Sequence, residues 1–186
     1  MTRWLALLPV LALSACMTLP GSDEPASKRY LLMKPARSCQ PGDTPLSVSI
    51  ASMNAGLVTD RIALIDGKTG ELRYLQGARW AVQANELLEQ RLAEDLECAG
   101  FTVQSGHYQS LGQRRLVCEV RALQLSNRDT AEVALSCIDS AKNNQQSMVS
   151  RHTQPVPSWS ADAAVRALSQ AYAATLEDLL ALLAEP

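Results

Sequence analysis

LVCEVRALQLSNRDTAEVALSC, residues 116–137, decides the fold. Two apolar-rich runs, Leu116 to Leu125 and Thr130 to Cys137, flank the turn formers Ser126, Asn127, Arg128 and Asp129. The pattern predicts a β-hairpin whose turn centres on Asn127 and Arg128. That register sets Cys118 opposite Cys137, Val120 opposite Leu135 and Ala122 opposite Val133, so the apolar faces agree independently. Directly opposed residues of a non-hydrogen-bonded antiparallel pair have Cα atoms about 4.5 Å apart, within reach of a disulfide.

The chain has five cysteines. Setting aside Cys16, treated below, leaves four, which suits two disulfides in an oxidising compartment. The plain alternative is four buried thiols acting as small hydrophobes. No CxxC occurs, which argues against a redox site or zinc ribbon. If Cys118 joins Cys137, then Cys39 pairs with Cys98 or both stay reduced. A Cys39–Cys98 bridge would close a loop of roughly sixty residues and stabilise by about 2–4 kcal/mol through the unfolded state.

Working outward, Arg61 to Ile65 and Glu71 to Leu75 flank the turn-rich Asp66–Gly70 and predict a first hairpin. Pairing Ile65 with Glu71 would put Leu64 opposite Leu72 and Ile62 opposite Tyr74. Residues 82–98 read as a helix. Leu88, Leu92 and Leu96 recur every fourth position, with Glu86, Glu89, Glu94 and Glu97 on other faces. Gly100 stands at the helix C′ position, and Phe101 is expected to fold back onto the last turn. A strand is expected near Gln145 to Arg151. After Trp159 a long helix begins, capped by Ser160 with Asp162 in its first turn. Its stripe is Val165, Leu168, Tyr172, Leu176, Leu179 and Leu183, a core face, and Ala163, Ala167, Ala171 and Ala174 permit close approach to a sheet. Short strands are expected at Tyr30–Leu32 and Leu46–Ile50, separated by a Pro35–Pro45 loop. The fold class is α+β: a mainly antiparallel sheet with two helices packed on one face.

The N-terminus carries a different message. Met1 and Arg3 precede an apolar run, Trp4 to Leu13, of signal-peptide length and too short to span a bilayer. Leu13, Ser14, Ala15 and Cys16 then read as a lipobox, in which a thiol accepts a diacylglyceryl group. Residues 1–15 are a lipoprotein signal, 16–28 a lipidated cysteine and flexible tether, and 29–186 a single domain. Met17 stands where an inner-membrane retention signal would place aspartate, so the periplasmic face of the outer membrane is expected. Two or more acyl chains would anchor the protein stably.

Catalytic groups do not converge in the sequence. No Gly-x-Ser-x-Gly or Ser-x-x-Lys occurs, and Asp66–Gly70 lacks phosphate-loop spacing. His107 and His152 have no ligand partner at metal spacing. Glu94 with Asp95, and Glu177 with Asp178, are adjacent helical residues that diverge by about 100° and are read as solvent-facing. Glu132 and Asp139 lie on a predicted strand without a nameable partner. The whole chain carries 17 basic and 19 acidic residues with no basic patch, so nucleic-acid binding has no electrostatic support. No catalytic residue, cofactor or metal site is expected.

Taken together, the segments resemble the ABC-type transport auxiliary lipoprotein family, the PqiC/YmbA-like proteins. The residues carrying the resemblance are Tyr30-Leu31-Leu32 after a lipobox and tether, Leu57 to Ile62 entering a strand, and Leu72 to Ala81 running into the Leu87-Leu88 helix. The block from Asp60-Arg61-Ile62 to Trp80-Ala81 is its most specific part. The departure is at Val82 to Asn85, where such helices often open with prolines. Trp80 is read as a core anchor, and Arg61 and Arg79 as partners of carboxylates on the sheet surface.

The resemblance implies a non-catalytic outer-membrane component of an intermembrane lipid transport system. Its partners would be the membrane through the lipid anchor, an MCE-domain periplasmic protein, lipid and further copies of itself. Two rivals are an envelope-assembly lipoprotein that binds an outer-membrane β-barrel protein, and a periplasmic hydrolase with a cryptic site. Cys16→Ser should abolish incorporation of labelled palmitate; label retained in that variant would refute the lipoprotein reading.

Overall fold

The computed structural model describes residues 27–35, 38–40, 42–105, 114–127, 129–141 and 144–184. The lipobox, Cys16, most of the tether, His107 and Arg128 lie outside the described residues. The elements are β1 (Lys28–Tyr30), β2 (Thr44–Met53), β3 (Arg61–Ile65), β4 (Leu72–Trp80), α1 (Ala84–Cys98), β5 (Phe101–Ser105), β6 (Arg114–Ser126), β7 (Thr130–Ala141), β8 (Asn144–Pro155) and α2 (Ala161–Ala184).

The strands form one eight-stranded sheet. Its longest pairings are antiparallel, β6 with β7 and β7 with β8. The sheet is mixed, however: β1 runs parallel to β4, β2 to β5 and β6, and β3 to β6. The architecture is α+β, with both helices on one face. The Cα atoms of Cys118 and Cys137 face each other 4.1 Å apart and the residues are bridged. A second disulfide joins Cys39 to Cys98, beside a hydrogen bond from Gln40 N to the Cys98 carbonyl at 2.9 Å. It ties the segment after β1 to the end of α1.

The β6–β7 register differs from the expected one near the turn and agrees with it farther out. Ser126 pairs with Thr130, so the turn is one residue longer than a two-residue hairpin, and Asn127 adopts φ 51°. Ala122 therefore faces Ala134, not Val133. Arg121 is then an extra residue in β6, and beyond this bulge Val120 meets Leu135 and Cys118 meets Cys137. The inward residues accordingly change parity, from Leu116, Cys118 and Val120 to Leu123 and Leu125, all buried.

The first hairpin corrects in the same manner. Asp66 Oδ1 accepts hydrogen bonds from the Lys68 and Thr69 amides at 2.9 and 3.0 Å. This side-chain turn lengthens the loop, so Ile65 pairs with Leu72 and Leu64 with Arg73. Leu64 still faces the core, whereas Tyr74 sits opposite Ala63 rather than Ile62.

Leu88, Leu92 and Leu96 of α1 are buried, and Gly100 ends the helix with φ 100°. Phe101 opens β5, a strand absent from the expected elements, and packs half-buried against the core. Ser160 caps α2, its hydroxyl accepting from Ala163 N at 3.2 Å. The whole stripe from Val165 to Leu183 is buried, within one core that also holds Trp80.

Asp95 is not on a solvent face. It is 4% exposed and accepts hydrogen bonds from Arg91 Nε at 2.8 Å and from the Tyr172 hydroxyl at 3.0 Å. Arg91 also reaches Glu94 at 3.2 Å. This buried cluster joins α1 to α2. Burial, then the neighbouring Asp95 carboxylate, pushes the Tyr172 hydroxyl pKa well above its usual value.

Peptide mapping without reductant should recover Cys39–Cys98 and Cys118–Cys137 peptides; a Cys39–Cys118 peptide would show the β6–β7 register to be wrong. Asp95→Ala leaves Arg91 buried without its main counter-charge and should cost about 3–5 kcal/mol in denaturant unfolding. Tyr172→Phe removes one hydrogen bond and should cost about 1–3 kcal/mol. Equal and negligible losses would show that the cluster does not hold the helices together.

Candidate functional site

Among the described residues, the nearest thing to a catalytic constellation is on β8 and α2. Ser150 Oγ donates to Asp178 Oδ2 at 2.5 Å, and His152 Nε2 lies 2.8 Å from the same oxygen. A serine nucleophile needs a base at its hydroxyl, with the carboxylate behind that base. Here the carboxylate occupies the middle, and the serine proton points to it rather than to the imidazole. The arrangement ties a strand to a helix. The Ser150 bond, and then the His152 bond, lowers the Asp178 pKa. The tie therefore holds above the ordinary carboxylate range and weakens as acid protonates Asp178.

Three further carboxylates also find structural partners. Asp139 is bound by Arg114, with Nε at 3.0 Å and Nη2 at 2.6 Å. Glu132 pairs with Arg151 and accepts from Gln124 Nε2 at 3.2 Å. Asp60 receives Arg79 Nη1 at 3.2 Å, and its carbonyl accepts from Trp80 N at 2.6 Å. The Trp80 ring is buried, with 1% exposure. The Asp60 to Ala81 block thus fixes the entry to α1: the Thr59 carbonyl accepts from Ala84 N, and the Tyr30 carbonyl from Ala81 N. Arg61 departs from expectation. Its guanidinium lies over the Tyr74 ring, 4.4 Å from the centroid, and it forms no ion pair among the described residues.

An open groove lies next to Arg61. Between the pairs Arg61–Arg79 and Ala63–Tyr74, β3 advances by one intervening residue while β4 spends Leu75 to Ala78. Gly77, at φ 69°, allows that bulge. The displaced backbone opens a cavity of about 560 Å³, lined by Arg61, Arg73, Tyr74, Gln76 and the start of α2 at Trp159 and Ser160. Trp159 is 46% exposed. Two guanidinium groups beside two aromatic rings suit an anion. The sequence held one signal for this feature, a glycine inside a strand pattern.

A family model described as the ABC-type transport auxiliary lipoprotein component matches residues 30–179. Among curated proteins, none is similar enough in sequence to match. The fold recurs in a crystal structure of an uncharacterised protein, 13% identical, with a TM-score of 0.71 over 86% of this chain and 99% of that one. It also recurs in a Xanthomonas campestris protein of the DUF330 family, 21% identical, with a TM-score of 0.63 over 83% of this chain and 90% of that one. These two likenesses show the fold, and the match across nearly all of the described domain shows the kinship: the chain belongs to the ABC-type transport auxiliary lipoprotein component family.

Proposed function

We propose that this protein is a non-catalytic lipoprotein, anchored through acylated Cys16 to the periplasmic face of the outer membrane. There its domain docks the MCE-domain conduit of an ABC-type lipid transport system. Membership of the transport auxiliary family carries the reading. The lipobox and the Pro- and Gly-containing tether add the anchor and keep the domain near its membrane. No described helix is long and apolar enough to cross a membrane. The Ser150, His152 and Asp178 geometry weighs against a serine hydrolase, because the histidine is not placed to activate the hydroxyl.

Affinity purification of the full chain from membranes should recover an MCE-domain protein, and Cys16→Ser should abolish lipid transport between the membranes. Recovery of an outer-membrane β-barrel assembly protein in its place would favour the rival docking role. Full transport by the unanchored variant would refute anchored docking.

A further inference from the structure

The groove at the β4 bulge lies where the tether joins the domain. Lys28 pairs with Ala78 and Tyr30 with Trp80, in parallel. Lys28, the first residue of β1, thus sits beside Ala78, next to Gly77 of the bulge and the groove. From Cys16 to Lys28 the backbone spans at most about 40 Å. A membrane holding Cys16 is thus never far from this end of the domain. The chemistry there suits a headgroup layer. Arg61 is held on the Tyr74 ring and has no ion pair among the described residues. Arg73 contacts Glu71 at 2.6 Å, but both side chains are half exposed, at 54% and 52%, so this water-screened pair opens at little cost. Trp159 adds a half-exposed indole, the side chain favoured at membrane–water boundaries. Lys28 lies 4.0 Å from Asp162 on the same edge, with side chains 73% and 61% exposed, a second water-screened pair that opens at little cost.

We propose that this groove binds the phosphate of an anionic phospholipid headgroup in the membrane that holds the anchor. Arg61 and Arg73 take the phosphate oxygens, because a guanidinium presents parallel donors to them. Trp159 rests at headgroup depth. The groove orients a domain that the tether alone would leave free to turn. This inference rests on the lipid-anchor reading.

The test uses the full mature lipoprotein, reconstituted in phosphatidylcholine vesicles with a stepped fraction of phosphatidylglycerol and a nitroxide on a fraction of the headgroups. With Trp4 cleaved away, the remaining tryptophans are buried Trp80 and Trp159. Quenching thus reports on Trp159. Trp159 emission should fall roughly two-fold, as for an indole at the interface. Each arginine near an anionic surface strengthens binding about five-fold, so Arg61→Gln with Arg73→Gln should raise several-fold the phosphatidylglycerol fraction needed for half-quenching. Gln76→Glu, at an exposed bulge position, should act in the same direction with unchanged Trp80 emission. Quenching equal to wild type in both variants would overturn the proposal, since tether proximity alone would then account for it. Flotation with the vesicles but no quenching would overturn the groove and leave the anchor standing. Failure to float would overturn the anchor and the groove with it. A Trp159 response to inorganic phosphate in detergent, without quenching on vesicles, would assign the groove to a free anion and overturn the lipid assignment.

Discussion

In β6, Arg121 has no counterpart on β7, and this unpaired residue sets the register of the strands on both sides. One edge of β6 is divided. Arg114 to Val120 pair with β2, and Gln124 to Ser126 pair with β3. The bulge falls between those two stretches, where the neighbour changes. β2 carries its own extra residue, Ala51, near the same level. Because side chains alternate between faces, one extra residue inverts everything beyond it. Without the bulge, either Leu116, Cys118 and Val120 or Leu123 and Leu125 would leave the core. With it, all five are buried beneath the helices. The Cys118–Cys137 bridge then locks the half of the hairpin farthest from the turn.

The parity change was written in the sequence: the inward residues run 116, 118, 120 and then 123, 125. The expected two-residue turn and the unbroken ladder were each wrong by one residue, in opposite senses, and so the cysteine pairing came out the same. Asp95 was legible too. It stands three residues after Leu92 and seven after Leu88, on the apolar face of α1. Classing it by charge hid what its position said. The parallel pairings were not legible. β1 joins β4 about fifty residues on, and β2 joins both β5 and β6 with no connecting turn to read. A hairpin advertises its pairing through its loop; a parallel pair between distant segments leaves only short apolar runs, which fit several neighbours.

The charged groups facing the helix layer follow one rule. Asp95 with Arg91, Asp139 with Arg114, and Asp178 with Ser150 and His152 each join an element to itself or to a neighbour. Each of these carboxylates has its partners within hydrogen-bonding distance. The groove differs in kind. Its two arginines are held by an aromatic ring and by one screened glutamate; Arg61 is half-buried and Arg73 exposed. Polar groups satisfied internally build a fold, whereas polar groups left wet at a bulge are available for binding.

In the anchored protein proposed above, the way the chain enters the domain would matter as much as the core. β1 is only three residues long and lies at the sheet edge, where a pull from the membrane would first be felt. It is stitched well beyond its own ladder. The Tyr30 hydroxyl donates to Asp162 Oδ1 at 2.7 Å, Met33 N donates to Ser169 Oγ at 3.0 Å, and Leu32 is buried. Both of those hydrogen bonds run to α2, whose apolar stripe covers β7 and β8 on the far side of the sheet. A load entering at Lys28 is therefore passed to the long helix and spread across the core instead of peeling a short edge strand. The same contacts hold the start of α2, and with it Trp159, against the edge formed by β1. In the anchored arrangement proposed above, that end of the domain would be the one facing the membrane.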